Sequence, residues 1–164
     1  MDNFNLKKKA SRKKLFFKNN NILSKIGENL LCSQLNYIKT NPVNVIQFGD
    51  SFNINNGNKK ILIINNFEEF LTNRTTSDAF LSNFGLQIYL ATENNILDLV
   101  CNSLKNNCLL CFNLITHNSF VTLKKIFYEI DENLFQGSYR RFGPFHDIQN
   151  TIEKLNNYNF KETV

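Results

Sequence analysis

Residues 43–56 read VNVIQFGDSFNINN, an apolar run that ends in Gly49 and then turns polar. A nucleotide-binding α/β domain brings a strand into a glycine turn in this way, because glycine alone lets the backbone come close to a ligand. The further glycines of such a loop are missing here, and asparagines and a phenylalanine stand in their place. Cys108 and Cys111 form a Cys-x-x-Cys pair, a spacing used by zinc and redox sites. That chemistry needs a turn or a helix start to bring the sulfurs together. In a strand, residues three apart point to opposite faces, so buried thiols are expected. His117 follows directly on the same apolar run, near the edge where parallel sheets bind ligands, and reads first as a loop or capping residue. Arg140 and Arg141, with Tyr139, either grip an acidic partner or line a solvated loop. No Ser-His-Asp set, phosphate loop or glutamate pair stands out.

These residues must be positioned by a domain whose size the length bounds. A chain of 164 residues holds one core, and 42% hydrophobic content marks it as globular rather than disordered. Asparagine abundance reads as the codon bias of an AT-rich genome. The charge is segregated: residues 1–26 hold eight Lys/Arg and one acid, +7, and the rest hold eleven bases and thirteen acids, −2. Residues 1–20 are thus a basic arm before a single domain over 21–164. In the arm, Lys7, Lys8, Lys9, Arg12, Lys13 and Lys14 precede Leu15, Phe16 and Phe17. Such a segment suits an anionic surface: nucleic acid, membrane or an acidic protein. No run reaches the ~18 apolar residues of a membrane span, and no apolar signal core follows the charges. Four cysteines in a chain of this size fit a reducing compartment, the cytoplasm or an equivalent such as the mitochondrial matrix, with peripheral membrane attachment left open.

Periodicity predicts a helix over 21–38, with Ile22, Ile26 and Leu30 beside Leu31, Leu35 and Ile38. Strands are predicted at Val43–Phe48, Lys60–Ile64, Ala79–Phe84 and Cys108–Ile115, the last buried on both faces. Helices are predicted at Glu68–Asn73, after Thr92 with Ile96, Leu97, Val100 and Leu104 inward, and after Asn118 or Ser119 with Phe120, Leu123, Phe127, Ile130 and Leu134 inward. A last helix is predicted after Asp147. Strands alternating with helices give a reduced doubly wound, Rossmann-like α/β domain. Its mostly parallel sheet has about four to five strands, with helices on both faces.

Three stretches resemble the class I S-adenosylmethionine-dependent methyltransferases. The branch is that of the biotin-pathway malonyl-carrier-protein methyltransferase and the complex I assembly factor of the same fold. FNLKKKASRKK is similar to the branch's Phe-Asp-Arg and basic helix. Residues 77–127 resemble its fourth strand, helix, fifth strand and following helix. GSYRRFGPFHDIQNTIEKLNNYNF resembles its Pro-Phe…Asp-Ile…Gly-Phe segment. The resemblance implies cofactor positions at Gln47 (an acid in the family), Gly49, Ser51 (the second glycine) and Asn65 (the ribose-binding acid). One glycine of three remains and both acids are amides, so these positions read as vestigial and no cofactor is expected. The resemblance also implies that the family's third strand and its closing strands are missing. The expected function is therefore protein binding in an assembly or scaffold role, toward a respiratory-complex subunit or another acidic surface, through Lys7–Lys14 or Arg140 and Arg141. The alternatives are an active methyltransferase on a small molecule or carrier protein, nucleic-acid binding through the arm, and a decaying gene product.

Overall fold

The computed structural model describes residues 22–38, 41–49, 52–54, 59–73, 75–87, 89–92, 95–139, 147–158 and 160. The basic arm with Lys7–Lys14, and Ser51, Arg140 and Arg141, lie outside the described residues. Four parallel strands form one sheet: β1 (Asn44–Phe48), β2 (Lys60–Ile64), β3 (Ser77–Asn83) and β4 (Leu104–Asn113), in the order β2-β1-β3-β4. Around it lie α1 (Ile22–Tyr37), α2 (Phe67–Thr72), α3 (Tyr89–Thr92), α4 (Ile96–Asn102), α5 (Val121–Phe135) and α6 (Ile148–Asn156). This is an α/β, Rossmann-like architecture.

Strand alternation divides the core in two. Val45, Ala79 and Leu81 point to one face, where Leu31 of α1 and Phe52 of the β1–β2 crossover cover them. Ile46, Phe48, Ile64 and Phe80 point to the other, where α2, α4 and Leu155 of α6 pack. Rings fix this second face. Phe48 stacks on Phe80 at 5.8 Å and meets Phe70 and Tyr89 edge-on at 5.7 and 5.5 Å. Asn66 starts α2, its side chain accepting the Glu69 N–H at 2.8 Å. Asp147 caps α6 as its sequence position predicts, accepting from Gln149 N–H at 3.0 Å.

The predicted inward faces of two helices are corrected. α1 rests on Gly27, Leu31 and Leu35, and leaves Ile22, Ile26 and Leu30 exposed. The reason is close approach at Gly27, where a β-carbon would lie 2.2 Å from Asn83 Oδ1 and 2.6 Å from the Phe84 ring. α5 is anchored by polar groups on its Lys124–Asp131 line. The Lys124 ammonium donates to the His117 carbonyl, and buried Asp131 accepts the Tyr139 N–H at 3.2 Å. Leu123, Ile126, Ile130 and Leu134 therefore face outward. Ser119 does not cap this helix: its hydroxyl accepts the Thr116 N–H at 3.1 Å, and Phe120 holds the cap position at φ 60°.

The helix predicted after Thr92 is two pieces, α3 and α4, with Asn95 at the cap position of α4, and Leu104 already belongs to β4. β4 begins early because Lys105 pairs with Asp78 at 2.8 Å. Ser77 faces Leu104 while Ala79 faces Leu109, so Lys105–Cys108 bulge opposite Asp78, with Asn107 at φ 58°. β4 is half-buried rather than covered on both faces, being the last strand of the described sheet.

Asp78 ties three strands at their amino ends. Besides Lys105 it accepts the N–H groups of Asn44 at 2.8 Å and Val43 at 3.2 Å. Lys105, with the Asn44 and Val43 amides, holds the carboxyl below its ordinary value of 3.8. A carboxyl lowered on folding stabilises the protein above its unfolded pKa, and that contribution is lost as pH falls through the folded pKa. Asp78→Asn should cost about 1 kcal/mol at pH 7, given the partial exposure of the group, and the deficit should shrink below about pH 4. Urea unfolding of both proteins at the two pH values checks this.

Candidate functional site

Ligands of open α/β sheets bind beyond the carboxyl ends of the strands where the chain order reverses. Here that point lies between β1 and β3, and the glycine turn after β1 sits at it. Gly49 adopts φ 93°, and its N–H donates to the Ile64 carbonyl at 2.8 Å. Across from it, the segment leaving β3 turns through Phe84, itself at φ 57°, into a 3-10 turn over Gly85–Gln87. The two turns touch through backbone. A β-carbon on Gly49 would lie 2.8 Å from Gly85 Cα, and one on Gly85 would lie 2.3 Å from the Phe48 carbonyl oxygen. Ser82 closes the seam, its hydroxyl donating to that carbonyl at 3.0 Å and accepting the Leu86 N–H at 3.2 Å. Gly49 thus serves the turn by its positive φ, and its bare face meets the protein's own backbone.

Gln47 is buried within β1. Its amide Nε2 donates to the Phe52 carbonyl at 2.9 Å and its Oε1 accepts the Phe52 N–H at 3.4 Å. One side-chain amide, donor and acceptor together, satisfies both backbone polar groups of one residue. This pair holds the Phe52 ring in the core against Leu31 and Val45. Asn65 is exposed at the end of β2. Its backbone N–H and side-chain amide both donate to Glu69 Oε2, at 2.8 and 3.4 Å. Gly49 and Asn65 are neighbours through Ile64, whereas the Gln47 side chain points to the α1 face.

Further polar residues at this edge serve the fold. Asn83 and Asn113 are register partners at the ends of β3 and β4. Asn83 donates to the Ser24 carbonyl at 2.9 Å and Asn113 to the Gly27 carbonyl at 2.7 Å, pinning α1 across the strand ends. Gln87 binds both the N–H and the carbonyl of Ile115, at 2.7 and 2.9 Å. His117 is exposed in the turn after β4. Sequence reading noted Phe52 only as a loop residue in place of a glycine, and singled out none of Gly85, Asn83 or Asn113. The abundance of asparagine hid the last two, and the Phe84-Gly85 step was the one available signal of a tight turn.

Cys108 and Cys111 point to opposite faces. Cys111 packs with Leu81 and Leu31 on the α1 face, whereas Cys108 lies near Cys101 of α4. Burial pushes Cys111 and Cys108 up, and pushes Cys101 up to about 11, so these sulfurs stay protonated. A groove of about 380 Å³ opens at the other, amino end of β1 and β2, beside Lys60, Leu62 and Thr76. It exists because the six-residue α2, about 9 Å long, covers only part of strands about 16 Å long.

The fold and this edge define a Rossmann-like α/β protein in which two glycine turns touch through backbone at the switch point. Comparison with protein-family models, curated proteins and solved structures finds no match. Among the described residues no helix is long and apolar enough to cross a membrane.

Proposed function

We propose that this protein keeps a methyltransferase-like frame without binding S-adenosylmethionine, and works by binding a protein partner in an assembly or scaffold role. The observation that carries this reading is the backbone contact between Gly49 and Gly85, which leaves no room for even a methyl group between the two turns. Gln47 and Asn65 support it. Both ends of the first amide are committed to Phe52, and the second is tied through its NH2 to the Glu69 carboxylate. The residues present therefore do not fit the cofactor, and no methyl transfer is derived from them. The outward stripe of α5, Leu123, Ile126, Ile130 and Leu134, supports the binding role, since apolar residues at this spacing are what a partner helix or groove covers. A respiratory-complex subunit is the partner class that the sequence resemblance suggests. Calorimetric titration of S-adenosylmethionine into the folded protein should give no binding heat at millimolar ligand. Micromolar affinity would overturn the reading and direct attention to a methyl acceptor.

A further inference from the structure

α1 is a helix turned inside out with respect to its own sequence. Ile22, Ile26 and Leu30 are 73%, 49% and 54% exposed, and Tyr37 at the far end is 82% exposed. Spaced by four, then extended to Tyr37, they form one stripe along a helix of 16 residues, about 24 Å long. The outward side of α1 carries no acid. Its one carboxylate, Glu28, is turned inward, where it accepts the Asn53 N–H at 3.0 Å. Lys25 is the helix's one cation. In the chain, the stripe follows directly on the arm, and residues 1–26 together carry eight Lys/Arg against one acid.

We propose that the outward face of α1 docks on an anionic phospholipid surface, its apolar stripe entering the headgroup boundary and the adjoining basic segment held by the lipid charge. An interfacial helix needs both parts: buried apolar area for hold and cations for anionic lipid. Nucleic acid would satisfy the charge and leave Ile22, Ile26 and Leu30 in water. A second copy would cover the stripe but leave the charge of the basic segment without a counterpart. A lipid surface meets both features at once, an acyl boundary for the stripe and anionic headgroups for the cations. The inference does not depend on whether the switch point takes a cofactor.

The chain has no tryptophan, so Leu30→Trp supplies a single emission reporter on the stripe. The full-length variant, shown by circular dichroism and thermal unfolding to be folded as the parent, is titrated with phosphatidylcholine vesicles containing about 30% phosphatidylserine. Emission should shift to the blue, binding should weaken as salt is raised, and pure phosphatidylcholine should bind roughly tenfold more weakly or not at all. Adding Ile26→Asp, at an exposed position, should weaken vesicle binding roughly tenfold without altering the fold. Absence of a shift with anionic vesicles overturns the proposal. So does binding that Ile26→Asp leaves unchanged, which would assign attachment to charge alone. An equal blue shift on self-association without lipid, or on adding single-stranded RNA, overturns it in favour of those occupants.

Discussion

Gly85→Ala should lower stability by about 3 kcal/mol, the upper part of the range for forcing atoms into a packed site. In a chain of this size that corresponds to a fall in Tm of about 6–12 °C. The added β-carbon would lie 2.3 Å from the Phe48 carbonyl oxygen and 2.7 Å from Ser82 Oγ. The first contact is with backbone in the central strand, which cannot move without disturbing β2 and β3 on either side. The second displaces the hydroxyl that joins Phe48 to Leu86. Gly49→Ala should cost about 2 kcal/mol, because φ 93° is strained for alanine and its β-carbon would meet Gly85. The two changes break one contact from two sides, so the double variant should lose less than the sum. Thermal unfolding of the three variants reads this directly. Fully additive losses would mean that the turns do not share a seam.

Gln47→Glu restores the acid that the resembled family carries at this position, and here it should destabilise by about 3 kcal/mol at pH 7. The carboxylate could still accept the Phe52 N–H, but the Phe52 carbonyl would lose its donor and face a buried negative charge. Burial raises the folded pKa of such a carboxyl above its unfolded value of about 4.3. The deficit is therefore absent below that value and grows as pH rises through it toward the folded pKa. At about pH 4 the protonated carboxyl can donate to the Phe52 carbonyl, and the variant should approach the parent's stability. Urea unfolding of both proteins across this range tests the sign. A deficit that is constant with pH would mean that water reaches Gln47 and that the crevice beside β1 is open.

These two residues mark what could be read in advance. Gly49 at the end of an apolar run signals a tight turn after β1, and Gly49 adopts φ 93° there. The sequence cannot show what Gln47 and Gly49 meet, because Phe52 and Gly85 lie 5 and 36 residues away along the chain.

By itself the sequence determined the four strands within a few residues, their alternation with helices, the cap at Asp147 and the parallel sheet. Those features rest on local patterning: β-branched runs, period and capping side chains act over a few residues. Tertiary structure decided which side of each helix is buried. Both α1 and α5 carry apolar residues around more than half of their circumference, so periodicity admits more than one inward face. Close approach at Gly27 rolls α1 onto Leu31, and the Lys124 and Asp131 bonds roll α5 away from Leu123 and Ile130. The tight fit at Gly27, where a β-carbon would lie 2.2 Å from Asn83 Oδ1, and a buried carboxylate each outweigh an apolar stripe, because a steric clash or an unpaired buried charge costs more than leaving a few aliphatic side chains in water.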